Sequence, residues 1–148
     1  MKTLKQGIWA AGVLVAVVLS PASAQYSEAE APAALRSGAQ DTIDQQFSAF
    51  RAREHEKAFS HAAPRLQKLF GTTERFIGMV KGGYGAIYNA RTWQFGRSRM
   101  KDGVLFQEVI VNGPKGKDWM ALYELKQEEN GSWKIQGVRL VPASTHST

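Results

Sequence analysis

The sequence predicts an α+β fold in which N-terminal helices pack on a curved, four-stranded antiparallel sheet. Two observations support this prediction. Apolar residues recur with helical spacing through residues 41–88, whereas residues 92–140 form short alternating runs separated by turn signals such as Asn130-Gly131. Helices that precede a series of hairpin-linked strands, instead of alternating with them, are typical of α+β domains.

The N-terminus reads as a cleavable secretory leader, residues 1–24. Lys2 and Lys5 precede an uncharged apolar run, residues 8–19, and a small-x-small cleavage pattern ends at Ala24. The apolar run would form a helix about 18 Å long, which is too short for a bilayer core about 30 Å thick. We therefore expect cleavage after Ala24, export to the periplasm or medium, and no stable membrane insertion of the mature chain.

Composition excludes several classes of protein. The 148 residues carry a net charge of +6 and include no cysteine, which excludes a disulfide framework, a thiolate metal site and a cysteine nucleophile. A hydrophobic content of 43% is too high for a disordered chain. After the leader, we expect a flexible lead-in over residues 25–40, a single domain over 41–141 and a disordered tail over 142–148.

The first predicted helix begins at Asp41 or Thr42, either of which can cap it, and ends before Pro64. Its apolar residues are Ile43, Phe47, Phe50, Ala58 and Phe59. The first three of these lie within about 60° of one another at 100° per residue, so they predict one buried face.

Two shorter helices are expected to follow. Pro64 suits the first turn of a helix over residues 65–70, which Gly71 ends. Thr72 or Thr73 can cap a third helix that continues to about Tyr88. Gly82-Gly83 predicts a kink or an early end in this third helix, because glycine weakens a helix interior.

Four strands are then predicted, with turns at the Gly-containing segments between them. They cover residues 92–99, 104–112, 119–125 and 133–138. Apolar residues occur on both faces of these strands. We therefore expect one sheet face to meet the helices and the other to be partly covered by a partner.

Four segments in this order resemble a known family. They are QFSAFRAREHEKAFSHAAP, LFGTTERFIGMVKGGYGAIY, QEVIV and WMALYELKQEENGSWKIQGVRL. The sequence resembles the cone-shaped nuclear transport factor 2-like superfamily and, within it, the bacterial domain of unknown function 4864. The resemblance implies a curved sheet wrapped by helices around a pocket, and by analogy a homodimer formed through the sheet. It implies no activity, since related folds host isomerases, cyclases, dehydratases and plain binding modules.

Two features depart from the pattern of these relatives. The superfamily commonly has a small β-hairpin before its third helix, and residues 64–73 are too few to form one. The family usually shows Asp where this sequence has Glu54.

Glu54 is the candidate for acid–base chemistry. It follows Ile43 by 11 positions, which places it about 20° away on the same face if the helix is continuous. A carboxylate on an apolar face can act as a general base. The alternative is that the helix ends here, and that Glu54 takes a capping role or pairs with Arg51, Arg53 or Lys57.

Five other side chains are candidates for the lining of a pocket: Tyr84, Tyr88, Gln107, Trp119 and Tyr123. Aromatic rings with a polar tip suit ligand contact, and an inward-facing glutamine would add a polar group. The alternative for the aromatic residues is ordinary core packing, and for Gln107 a place at the sheet edge or in solvent.

Metal and cofactor motifs are missing from the sequence. His55 and His61 are six positions apart instead of the four that a shared helix face needs, and no HExxH pattern or phosphate-binding loop occurs. We therefore predict no metal site and no cofactor.

These observations favour a non-catalytic binding module for a small apolar ligand, a peptide or a protein partner. One alternative is an isomerase- or cyclase-type enzyme with Glu54 as general base. Another is a protein that binds anionic envelope surfaces, since basic residues surround Trp93 and Phe95. A nucleic-acid partner is not expected for an exported protein.

Overall fold

The computed structural model describes residues 30–144. The predicted leader, residues 25–29 of the predicted lead-in and the last four residues lie outside this part of the chain. The helices are α1 (Ala33–Ala52), α2 (His55–Ser60), α3 (Pro64–Phe70), α4 (Thr73–Gly83) and α5 (Gly85–Tyr88). The strands are β1 (Thr92–Lys101), β2 (Val104–Asn112), β3 (Asp118–Gln127) and β4 (Trp133–Pro142), with a single 3₁₀ turn (Pro114–Gly116) before β3.

The α+β prediction is confirmed. The strands form an antiparallel meander in the order β1-β2-β3-β4, and the helices pack on one of its faces. Strand β2 has its predicted bounds, whereas β1, β3 and β4 extend beyond their predicted ends. Strand β4 includes Pro142, which the sequence placed in the tail. Among residues 30–144, no helix is long and apolar enough to cross a bilayer.

Helix α1 begins at Ala33, well before the predicted start at Asp41 or Thr42. Residues 33–40, which we had assigned to the lead-in, are therefore helical. Alanine has the highest helix propensity, and Pro32 at the N-cap ends the preceding extended segment. The early turns are also held by packing, since Ala39 is fully buried.

The prediction of one helix up to Pro64 was wrong. Helix α1 ends at Ala52 because Arg53 adopts a left-handed backbone conformation with φ of 60°, and α2 starts again at His55. The Arg53 guanidinium donates to the backbone oxygens of Phe50 and Tyr88 at 3.3 and 3.2 Å. These bonds tie the break to α5 and offset the cost of a left-handed residue that is not glycine.

The later helices follow the sequence prediction closely. Pro64 occupies the first turn of α3, and Gly71 ends that helix with φ of 76°. The Thr72 hydroxyl caps α4 by accepting from the Arg75 N–H at 3.3 Å. Helix α4 ends at Gly83 and α5 follows directly, where a kink or early end was predicted.

The helix-facing side of the sheet forms the core together with α1. Its fully buried side chains on β2 and β3 are Leu105, Gln107, Val109, Val111, Ala121, Tyr123 and Leu125. From α1, Phe47 stacks on Trp93 of β1 with ring centroids 4.7 Å apart and lies 6.0 Å from the Tyr123 ring. Burial of each such aromatic side chain contributes roughly 1.5–3 kcal/mol.

The opposite face of the sheet is half-exposed. Its apolar side chains include Phe106, Ile110, Met120, Leu122 and Val141. Val141 is 45% exposed, and the Arg97 guanidinium pairs with Glu108 on the same face at 2.9 Å. The partner expected on this face stays a prediction.

Candidate functional site

An apolar cavity of about 240 Å³ lies between the short helices and the sheet. Helices α1, α3, α4 and α5 supply one side of it, and β3 and β4 supply the other. Its apolar lining includes Leu66, Phe70, Phe76, Met79, Val80, Ile87, Ile135 and Val138. None of the described residues that line it carries a charge. Such a cavity suits the burial of an uncharged apolar group.

Phe76 on α4 holds the helical side of the cavity together. Its ring lies 4.8 Å from that of Phe59 on α2 and 6.3 Å from that of Phe50 on α1, both nearly parallel. It also meets Phe70 of α3 edge-on at 5.7 Å. Helices α1, α2 and α3 thus each place a phenylalanine ring against Phe76 of α4. The cavity lies where this cluster meets the inner face of the sheet.

Helix α3 is the least anchored wall of the cavity. It contributes Leu66 and Phe70, yet none of its residues is fully buried and Leu69 is 68% exposed. Its hydrogen bonds to the sheet come from its N-terminal end, where the Ala63 N–H donates to the Ile135 oxygen at 2.8 Å. The Arg65 guanidinium donates to the Gln136 oxygen at 3.1 Å.

Three polar side chains interrupt the apolar lining. The Tyr84 hydroxyl donates to the Val138 backbone oxygen at 3.0 Å, and the Gln46 amide donates to the Ala58 oxygen at 3.2 Å. The Tyr123 hydroxyl is buried and has no hydrogen-bond partner among the described residues. Burial raises the pKa of Tyr123 well above its usual value, so this phenol stays neutral.

Two of the five predicted pocket residues, Tyr84 and Tyr123, line this cavity, whereas Tyr88 and Trp119 lie elsewhere. The Tyr88 hydroxyl lies 3.0 Å from His55 Nε2, and its ring is covered by the Arg53 guanidinium at 4.1 Å. Tyr88 therefore joins the α1–α2 break to α5. Trp119 lies at the end of the sheet, with Lys117 Nζ 4.5 Å from its ring centroid.

Gln107 points inward, but it does not line the cavity. Its amide nitrogen donates to the backbone oxygens of Gly96, Arg97 and Glu108 at 3.1, 3.3 and 2.8 Å. Its side-chain oxygen accepts from the Gln40 amide at 3.0 Å. The bonds to Gly96 and Arg97 satisfy two carbonyls at the β1 bulge between Phe95 and Ser98, so Gln107 has a structural place in the core.

Glu54 also lies outside the cavity. The break at Arg53 rotates it away from the buried face of Ile43, and its carboxylate is exposed and lies 3.3 Å from Lys57. It borders a separate open groove of about 710 Å³ between α2 and α4, together with Glu74 and Lys81. This is the ion-pairing alternative for Glu54, whose carboxylate does not line the cavity.

His61 ends α2, close to the cavity residue Ala62. Its Nε2 is buried and has no partner among the described residues. Burial, followed by the charges of Lys134 and Lys57, lowers the pKa of His61. No group of three or more potential metal ligands occurs within residues 30–144.

Sequence reasoning did not single out most of the cavity wall. Leu66, Met79 and Val138 belong to apolar runs that look the same whether a residue fills a core or borders a cavity. The sequence feature that pointed to the cavity is the pair Tyr84 and Tyr123, because a phenol on an inward-facing position brings a polar group to an apolar surface.

Comparison with known proteins gives one match. The family model described as Domain of unknown function (DUF4864) matches residues 32–148. Searches of the curated proteins and of the solved structures found no match.

Proposed function

We propose that this chain, which belongs to the DUF4864 family, is an exported, non-catalytic module that binds a small, mostly apolar molecule. The site is the cavity between the short helices and β3–β4. The observation that carries the proposal is the cavity itself: about 240 Å³ of space bordered by apolar side chains from both layers of the fold.

The size of the cavity supports a small ligand. An apolar cavity of about 150 Å³ is large enough to bind benzene, whereas sites for drug-sized ligands begin at about 300 Å³. A cavity of about 240 Å³ lies between these two limits. By proportion with benzene, it has room for about ten non-hydrogen atoms.

The chemistry of the lining favours binding over catalysis. General acid–base catalysis needs a titratable group within hydrogen-bond reach of the substrate. No charged side chain borders the cavity in the described part of the chain, and Glu54 lies on another surface. The geometry therefore favours the binding module over the isomerase- or cyclase-type enzyme.

Two further parts of the proposal rest on the sequence. The leader pattern that ends at Ala24 supports export. The order of helices followed by a four-stranded meander supports membership of the nuclear transport factor 2-like superfamily. Residues 64–73, which are too few for the hairpin common in that superfamily, contain α3 and its end at Gly71.

Binding of the neutral hydrocarbon tetralin tests the proposed site. Leu66→Trp puts a larger side chain into the cavity wall, and Leu69→Trp on the same helix is the matched control because Leu69 is exposed and does not line the cavity. We expect the unmodified protein and Leu69→Trp to bind tetralin alike, and Leu66→Trp to bind it at least about tenfold more weakly. Equal affinity in all three proteins, or no binding to the unmodified protein, would overturn the proposal.

A further inference from the structure

Tyr123 is the polar residue of the cavity lining whose hydroxyl has no hydrogen-bond partner among the described residues. Tyr84 and Gln46 line the same cavity, and both donate hydrogen bonds to backbone oxygens. Tyr123 is fully buried, and no hydrogen bond satisfies its hydroxyl within the described part of the chain. An unpaired buried hydroxyl lowers stability, and phenylalanine would pack at this position without that cost.

The position of Tyr123 fixes where this hydroxyl can act. The residue lies in the middle of β3, where it pairs with Gln107 of β2 and Val138 of β4. Its ring is held against Phe47 of α1 with centroids 6.0 Å apart. The ring therefore belongs to the rigid core, while the same residue borders the cavity.

The charge of the site restricts the ligand. A buried carboxylate or ammonium group needs a partner of opposite charge, and none of the described lining residues supplies one. Because burial keeps the Tyr123 phenol protonated, its hydroxyl is available as a hydrogen-bond donor. An acceptor oxygen on an otherwise apolar molecule is the group that matches this donor.

We propose that the cavity takes an uncharged, mostly apolar molecule of about ten non-hydrogen atoms whose single carbonyl or ether-type oxygen accepts a hydrogen bond from the Tyr123 hydroxyl. This inference rests on the proposed function, since it names the chemistry of the ligand in the same cavity. The hydroxyl is closed off from solvent in this structure, so contact requires the lining to adjust. Met79 and Leu66 are the half-buried, flexible residues of the lining that can do so.

The test compares two probes that differ in one carbonyl group. Tetralin has no acceptor, and 1-tetralone has the same ring system with a ketone. Both are titrated into the unmodified protein and into Tyr123→Phe. We expect Tyr123→Phe to bind 1-tetralone about tenfold more weakly and to bind tetralin at least as tightly as the unmodified protein.

The outcomes separate this inference from the function on which it rests. If tetralin binds and 1-tetralone has the same affinity for both proteins, the Tyr123 assignment is overturned and the proposed function stands. If neither probe binds the unmodified protein, both are overturned. If 1-naphthoate at neutral pH binds as tightly as 1-tetralone, the requirement for an uncharged ligand is overturned.

Infrared spectroscopy provides a readout that does not depend on the variant. A hydrogen bond to the ketone lowers the stretching frequency of its carbonyl group. We expect a lowered frequency for 1-tetralone bound to the unmodified protein, relative to 1-tetralone in an apolar solvent. An unshifted frequency in the complex would overturn the assignment even if Tyr123→Phe fails to fold.

Discussion

At the scale of single residues, the two tyrosines that line the cavity differ in the hydrogen bonding of their hydroxyls. Tyr84 donates to the Val138 oxygen at 3.0 Å, whereas Tyr123 has no partner among the described residues. Removing a paired hydroxyl and removing an unpaired one should therefore change stability in opposite directions.

We predict that Tyr84→Phe lowers the free energy of unfolding by about 1 kcal/mol, because it leaves the Val138 carbonyl without its donor. Tyr123→Phe should raise it by about 1 kcal/mol, because an unpaired buried hydroxyl is removed. Urea unfolding of both variants without ligand measures the difference. A loss of stability in Tyr123→Phe as large as that in Tyr84→Phe would show that the Tyr123 hydroxyl has a partner.

His61 should make stability depend on pH. Its pKa is lowered from 6.5 by burial and by the charges of Lys134 and Lys57, so the folded protein binds this proton less readily than the unfolded chain. Above pH 6.5 the imidazole is neutral in both states, and the stability that depends on His61 is fully present. This stability is lost as the pH falls below 6.5, towards the folded-state pKa. We predict that His61→Gln flattens this part of the stability profile in urea titrations from about pH 5 to about pH 8. An unchanged slope would contradict the assignment to His61.

Part of the site was predictable from residue type and strand parity. Tyr84 and Tyr123 were candidates because an aromatic ring with a polar tip suits ligand contact. Strand parity places Gln107 and Glu108 on opposite faces of the sheet, but it could not tell which of the two points inward. It also could not reveal the β1 bulge whose carbonyls accept from the Gln107 amide. For Glu54 the sequence left two alternatives open, and the structure shows the ion pair with Lys57. The sequence could not decide between them because a left-handed Arg53 leaves no signature in it.

At the scale of elements, helix type and order were predicted better than helix boundaries. Helix α3 was predictable because proline suits a first helical turn, and the break near Gly83 because glycine weakens a helix interior. The start of α1 was missed because residues 33–40 show no sustained apolar stripe. Their helix depends on contacts distant in sequence, including the fit of Gly38 against Trp133 of β4.

Two glycine substitutions test that packing. A Cβ atom at Gly38 would lie 2.6 Å from Nε1 of the buried Trp133 indole, whereas a Cβ atom at Gly78 in α4 would meet nothing within 4 Å. Alanine gains helix propensity at both positions. We predict that Gly78→Ala raises the free energy of unfolding by up to about 1 kcal/mol and that Gly38→Ala lowers it by about 1–3 kcal/mol. Thermal and urea unfolding measure both, and a stabilised Gly38→Ala would contradict the packing of α1 on β4.

At the scale of the whole molecule, two periodicities in separate halves of the chain were enough to predict the architecture. Helical spacing followed by strand alternation leaves an α+β domain with an antiparallel sheet as the simplest way to bury both apolar faces. The cavity was not predictable in the same way. Its volume is a small mismatch between the helix cluster around Phe76 and the inner surface of β3 and β4, and such a mismatch has no compositional signature.

Export can be tested on the mature chain. We predict that the intact mass of the protein recovered outside the cytoplasm corresponds to residues 25–148, because the small residue at position 24 suits cleavage. Ala24→Phe should block cleavage and leave the leader attached. Mass spectrometry of both proteins is the measurement. Recovery of the uncleaved chain from the unmodified protein would contradict the leader assignment.

The central claim is that the cavity between the short helices and the sheet binds a small apolar molecule. NMR measurement of nuclear Overhauser effects between bound tetralin and the methyl groups of the protein tests it most directly. The claim predicts contacts from tetralin to the methyl groups of Met79, Ile87 and Ile135, which line the cavity from α4, α5 and β4. Contacts confined to exposed methyl groups, such as those of Leu69 on α3 or Val141 on the outer sheet face, would contradict it.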